Sequence, residues 1–415
     1  MSPIPREEAL DSTLALLSEG YRFIANRCRR LGSDVFETRL MLQPVFCMLG
    51  EEAAEVFYEP DRFTRVGAMP SPTVRLLQDR GSVQLLDGDA HRWRKAMFMS
   101  LMTSDAIQHL VDLTEEEWRA AAARWRTMDR IVLLDQAHAV LCRAVCRWAG
   151  LSLTESEAER RTREFAAMID GAGALGPRHW WGVGLRARSE RWARQVIENV
   201  RIGALAPAAG SATHVIGWHK DRDGRLLDGE VAAVELINVL RPTVAIGHFV
   251  MFGAVALHQH PQCREMLQGD GDDLERFVHE VRRFYPFFPC IGGRVRRPFA
   301  WRDHRFEKGA WVLLDLYGTN HDPRTWQDPE AFRPERFRAW NGSAFNFIPQ
   351  GGGDHHEGHR CPGEWITIEV LKRAMRLLAT GIRYDVPEQD LTIDLSRMPA
   401  LPASRFVMTK VRPAG

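Results

Sequence analysis

What this chain lacks narrows it before any motif is read. It has no excess of charge: 55 Lys and Arg stand against 54 Asp and Glu, a formal net charge of +1. Bulk electrostatics gives no reason to expect nucleic acid or an anionic membrane as a partner. Lysine is scarce (Lys95, Lys220, Lys308, Lys372 and Lys410), so nearly all the positive charge is arginine. No repeat, linker or low-complexity tract divides the 415 residues; Leu205 to Thr213 (LAPAAGSAT) is the loosest stretch and reads as an inter-helix loop. Seven cysteines, an odd number without framework spacing, point to a reducing compartment rather than a disulfide scaffold. The start, MSPIPREEAL, has neither the basic opening nor the apolar run of a secretion signal. The most apolar segment has a longest charge-free stretch, Thr243 to Leu257 (His248 counted neutral), of 15 residues, short of the ~20 a membrane span needs. A soluble, cytoplasmic protein without a membrane anchor is expected.

The most informative stretch is FIPQGGGDHHEGHRCPGE, from Phe347 to Glu364. A glycine-rich, proline-marked loop runs into a single cysteine, Cys361, and then into EWITIEVLKRAMRLLATGI, with helical apolar spacing at Trp365, Ile368, Val370, Leu371 and Leu377. Pro362 suits a first helical position. That places Cys361 at a helix N-terminus, where free N–H groups and the dipole lower a thiol's pKa and favour the metal-ligating thiolate. Gly351, Gly352 and Gly353 are expected to let backbone approach a flat cofactor closely. The chemistry suggested is thiolate ligation of haem iron; a lone Cys beside a turn is otherwise a small buried hydrophobe. Asp354, His355, His356 and His359 crowd near Cys361, but ligands packed into so short a loop rarely reach a zinc tetrahedron unaided. Cys142 and Cys146, at i,i+4 on an apolar helix, read as core.

Upstream, DDLERFVHEVRRFYP puts Glu280 and Arg283 on one helix face. FRPERF then supplies Arg336 after a proline turn. Glu280, Arg283 and Arg336, followed by the cysteine loop, resemble the buried Glu–Arg–Arg triad of the cytochrome P-450 superfamily. The segments GSVQLLDGDAHRWRKAMFMSLMT, VELINVLRPTVAIGHFVMFGAVALHQHP and EVRRFYPFFP resemble its fatty-acid peroxygenase branch. The superfamily places a Phe seven residues before the cysteine; here Phe347 lies fourteen before Cys361, the lengthened loop of that branch.

The resemblance implies a mainly α fold with small β-sheets, one large cytochrome P-450-type helical domain over residues 1–415 around a buried haem b. Short strand-like pieces lie near Gly293–Arg296, Ala310–Leu314 and Phe406–Val411. Cys361 would be the axial iron ligand, and His91, Lys95, Arg294 and His359 match positions that hold the haem propionates. Arg241 and Pro242 stand where oxygen-reducing members carry a proton-delivering acid and alcohol. They lie in a helix hydrophobic nearly all round, Val231 to His258, which Pro242 is expected to kink. A buried arginine must find an anion. That anion is either a structural glutamate (Glu235 is nearest, but six residues away points elsewhere) or a substrate carboxylate held bidentately. The resemblance implies the second, with the carboxylate serving as base and then acid for hydrogen peroxide and the α and β carbons nearest the iron.

Gln84 lies where the branch presents a side chain over the haem. It can hydrogen-bond but not deliver a proton, which favours hydroxylation over alkene formation by decarboxylation. Leu77, Ala245, Phe287 and Phe288 are candidate walls of the acyl channel, and core packing accounts for them equally well; Gln78 is polar where an aromatic is expected. The expected activity is peroxide-dependent hydroxylation of long-chain fatty acids without a redox partner. The alternatives are a partner-fed haem-thiolate monooxygenase and a non-catalytic haem sensor.

Overall fold

The computed structural model describes residues 4–79, 81–267, 271–302 and 304–414. Its centre is the helix Gly229–Gln259, in which 25 of 31 residues are buried. Asp228 caps it, its Oδ1 accepting the Glu230 N–H at 2.8 Å. By length and composition this helix could cross a membrane, but 94% of its most apolar window is buried inside the fold. Its apolar character therefore serves the core. The helix continues unbroken through Pro242.

Around this axis pack Leu133–Trp148, Glu155–Gly171 and Pro177–Arg201. Glu155–Gly171 starts with a complete capping box, in which Thr154 and Glu157 satisfy each other's backbone N–H. Pro177 opens the next helix directly after Gly176, as its preset φ and missing donor favour. Close approach fixes Gly253, because a Cβ there would lie 2.4 Å from Met375 Sδ. Met375 belongs to Glu364–Arg376, the helix after the cysteine, which packs on the central helix, on Ser104–Trp125 and on Gly271–Phe284.

Five strands run in the order Val35–Leu40, Gln43–Met48, Trp311–Asp315, Cys290–Val295 and Phe63–Thr64, all antiparallel except Gln43–Met48 beside Trp311–Asp315. Ile131–Val132, Val407–Pro413 and Ile382–Asp385 make a second sheet, and Phe299–Trp301 with His304–Phe306 a hairpin. The three strand-like pieces read from sequence are thus strands, shifted by one to three residues. Fold class agrees as well: mainly helical, with small sheets.

Candidate active site

Cys361 sits in a turn, and its helix begins only at Glu364. Pro362 and Gly363 therefore belong to the turn rather than to the first helical positions, so the helix end exerts less on the sulfur than the sequence suggested. Burial and the Glu364 carboxylate push the Cys361 thiol up, against Lys95 and the Gly363 N–H. A metal must supply the drive to deprotonation, as bound cations do for coordinating thiols. The buried face of the following helix is Ile366, Thr367, Val370, Leu371 and Ala374. Trp365 is not part of it: it lies at the rim, stacked on His355 at 4.0 Å.

A closed set of polar contacts fixes the loop. The Gln350 carbonyl accepts the Cys361 N–H at 3.2 Å. The Gln350 side-chain amide reaches Cys361 Sγ at 3.7 Å and Thr367 Oγ1 at 3.1 Å, while Arg282 donates to its Oε1 at 3.1 and 3.3 Å. Glu364 accepts from Arg282 and from Arg360, the latter at 2.6 Å. Lys95 Nζ donates to the Arg360 carbonyl. The glycines are required by the loop's own packing. A Cβ on Gly352 would sit 2.5 Å from the Ala344 oxygen, and one on Gly353 would sit 2.9 Å from Tyr58 Cβ. They let the loop pack on its own protein neighbours.

The Glu280–Arg283–Arg336 constellation is assembled. Arg283 donates twice to Glu280, at 2.7 and 2.8 Å, and Arg336 Nε donates to the same carboxylate at 3.2 Å. Glu280 and Arg283 are fully buried. Arg283 also donates to the carbonyls of Asn320 (2.9 Å) and Pro329 (3.1 Å), so the pair ties the helix Gly271–Phe284 to the segments before the cysteine loop.

His91 and Lys95 lie on the helix Gly88–Ser100, both buried. The His91 and His359 rings lie 3.9 Å apart. Burial, Lys95 and Arg65 push His91 down to about 4, and burial with Arg65 carries His359 down as well. Arg294 is not with them. Its guanidinium is engaged by Gly67 O, Gly309 O and Gln43 Oε1, to which it donates. The arginine that faces the two histidines is Arg65, which sequence reasoning missed. It is 7% exposed, donates to Gly292 O at 2.8 Å, and its Nε has no partner among the described residues. Burial brings it down to about 10. Arg65 and Lys95, with the neutral rings of His91 and His359 beside them, thus form a positively charged pocket with no carboxylate at ion-pair distance among the described residues. Such a pocket fits the paired propionates of a haem whose iron meets Cys361. Among the described residues, no group of three or more His, Cys, Asp or Glu is placed to hold a metal ion.

On the central helix, Asn238, Arg241 and Ala245 follow at i, i+3 and i+7, one stripe of the helix. Arg241 is buried, and Nη2 donates to Leu77 O at 2.6 Å; Nε has no partner among the described residues. No carboxylate among the described residues pairs with it. Burial, then repulsion from Arg186, brings its pKa down to about 9. Glu235, the nearest acid in sequence, is engaged elsewhere, accepting Arg94 at 2.9 Å and the Val83 N–H at 2.8 Å. Gln84 lies in the adjoining 3-10 turn Val83–Leu85, its Oε1 3.4 Å from Asn238 Nδ2. Leu77 closes the helix Ser71–Leu77 and is half-buried, as is Gln78 beside it. Phe287 stacks on Phe249 of the central helix at 4.4 Å; Phe288 crosses Phe287 edge-on and is partly exposed.

The cytochrome P450 family profile matches residues 273–380. Cytochrome P450 4A7 of Oryctolagus cuniculus is 33% identical over 186 residues, 40% of this chain and 34% of that protein. Cytochrome P450 4A11 of Homo sapiens is 34% identical over 186 residues, 40% of this chain and 33% of its own. The chain spans about a third of the length of these curated relatives. Among solved structures, cytochrome P450SP alpha in complex with (R)-ibuprophen is 50% identical, with TM-score 0.96 over 98% of this chain and 100% of that one. Cytochrome P450EX alpha with myristic acid is 44% identical, with TM-score 0.96 over the whole of both chains. A variant of cytochrome P450 OleT in complex with arachidonic acid is 36% identical, with TM-score 0.97 over 100% of this chain and 99% of that one. On this likeness along its full length the chain belongs to the cytochrome P450 family, in its fatty-acid peroxygenase branch, and its cofactor is haem b.

Proposed function

We propose that the protein hydroxylates long-chain fatty acids at the α or β carbon with hydrogen peroxide, and that Arg241 holds the substrate carboxylate. The observation that carries this reading is the unanswered charge of Arg241. A guanidinium buried in the central helix, with one donor unpartnered and another arginine as its charged neighbour, is costly until an anion arrives. A carboxylate matches its planar fork. P450EX alpha was solved with myristic acid and the OleT variant with arachidonic acid, both carboxylic acids with long apolar tails.

Cys361 would ligate the iron of a bound haem through its sulfur, and that group would supply iron chemistry in which thiolate donation favours O–O cleavage. Arg65, Lys95, His91 and His359 would hold its propionates. The chain's own residues then do three things. Arg241 fixes the carboxylate, which takes a proton from one peroxide oxygen and returns it to the other, the one that departs as water. Pro242, with neither a side-chain acid nor an N–H, leaves that proton traffic to the substrate. Gln84 offers a hydrogen bond but no transferable proton. Anchored at its acid end, the substrate presents its α and β carbons first, so position sets the site of attack; a minor share of decarboxylation to alkenes fits the same pose. Leu77, Ala245, Phe287 and Phe288 would line the acyl path. No redox partner is needed on this reading, and we place the protein in the cytoplasm.

The test incubates the haem-loaded protein with a long-chain fatty acid and hydrogen peroxide, without reductase or nicotinamide, and identifies the products. Hydroxy acids substituted at the α or β carbon are expected. Turnover only with a reductase would replace this reading by a partner-fed monooxygenase.

A further inference from the structure

Asn238 carries a buried acceptor that nothing among the described residues satisfies. The residue is 7% exposed, and its Oδ1 has no hydrogen-bond partner among the described residues. Its amide nitrogen is fully engaged, donating to Glu235 Oε2 at 3.1 Å and lying 3.4 Å from Gln84 Oε1. This orientation is forced, because an ionised carboxylate only accepts: turning the amide over would set Oδ1 against Glu235. Glu235 is in turn immobile. Fully buried, it takes Arg94 Nη1 at 2.9 Å and the Val83 N–H at 2.8 Å, and Arg94 grips Asp221 with both oxygens at 2.9 Å. A buried ion pair thus holds Asn238 with its carbonyl oxygen free, one helical turn from Arg241.

A buried acceptor left without a donor is unfavourable, and native proteins rarely retain one without use. The carboxylate that Arg241 would anchor cannot satisfy it, being an acceptor as well. The acyl chain carries no donor either. What remains among the proposed reactants is an O–H group of hydrogen peroxide. We propose that Asn238 is a peroxide-holding residue: its Oδ1 accepts one peroxide O–H while the anchored carboxylate takes the proton of the other oxygen. Asn238 exchanges no proton, so the balance of the reaction is unchanged. Its contribution is to fix the peroxide's orientation. Gln84, whose Oε1 faces Asn238, has its NH2 group left to donate.

This inference rests on the peroxide reading above, and the experiment separates the two. Wild type is first assayed with peroxide alone; no turnover there sinks both. With wild type active, Asn238→Leu is compared for peroxide KM and, by calorimetry, for fatty-acid Kd. One lost hydrogen bond predicts a peroxide KM raised about tenfold, with fatty-acid Kd unchanged. Asn238→Ser, smaller and still able to accept, should fall between, and it decides the matter if the leucine variant does not fold. An unchanged peroxide KM, or a fatty-acid Kd weakened by the same factor as the KM, overturns the assignment.

Discussion

Arg241→Met should raise the stability of the ligand-free protein and abolish the extra stability that substrate brings. Without ligand the wild-type chain holds a guanidinium that is 5% exposed, donates to Leu77 O and lacks an anion. Replacing an uncompensated buried charge by an apolar side chain of similar length stabilises by about 1–4 kcal/mol. At roughly 2 °C per kcal/mol, that raises the ligand-free Tm by several degrees. With a fatty acid present the wild type gains and the variant does not. Truncating one partner of a buried charge pair costs about 3–5 kcal/mol, or two to three and a half decades of affinity at about 1.4 kcal/mol per tenfold. Wild type at a hundredfold excess over its Kd gains about 2.7 kcal/mol; the variant gains almost nothing at the same concentration. Differential scanning fluorimetry of both proteins, with and without a long-chain acid, reads all four states. Arg241→Lys should recover only part of the shift, because a point ammonium lacks the planar fork. A methionine variant that melts lower without ligand yet keeps the fatty-acid shift would make Arg241 a structural residue and remove the substrate anchor.

Cys361→Ala should abolish the thiolate-type band of the ferrous carbon monoxide complex; an unchanged band would transfer ligation to another residue. Arg65→Ala should weaken haem retention, measured by transfer to apomyoglobin, while Arg294→Ala leaves it near wild type. A short acid such as heptanoate should fill the Arg241 site and switch on peroxide-dependent oxidation of a substrate without an acid group. Equal stimulation of wild type and Arg241→Ala would count against the shuttle. Burial raises the Glu364 pKa, but Arg282 and Arg360 outweigh it and carry it from 4.5 down to about 2. A depressed folded-state pKa contributes stability above 4.5 that is lost as pH falls towards 2. Acid unfolding should therefore flatten over that window in Glu364→Gln, as followed by haem absorbance and far-UV dichroism.

Much of this site was legible because its chemistry is local in sequence. Glu280 and Arg283 share a helix face through i,i+3 spacing alone, and Cys361 is marked by its own loop. Arg241 announces itself as a charge inside an apolar helix. Arg294 and Arg65 mark where that kind of reading ends. Which side of a sheet a residue faces depends on pairing, and Arg294 pairs with both Trp311 and Thr64, across strands far apart in sequence. Arg65 follows a two-residue strand, too short for alternation to be read. The thiol is a second case: the helix end was visible, but the burial that outweighs it comes from elements dozens of residues away. Asn238 lay in plain view, yet an unpaired acceptor is a property of everything packed around it.

Gln350 places the electronic character of the sulfur under remote control. Its amide has two ends, one turned to Cys361 Sγ and the other held by Arg282 of the helix Gly271–Phe284. Hydrogen bonds to a ligating sulfur draw off electron density and raise the potential of the metal it serves. Polarised by a cation at its carbonyl, an amide is also a better donor at its nitrogen. Arg282 thus acts on the sulfur through one intervening side chain, without touching it. The helix that braces the loop would therefore also tune the potential of a haem bound through that sulfur, so that a charge change at position 282 should show in a redox titration.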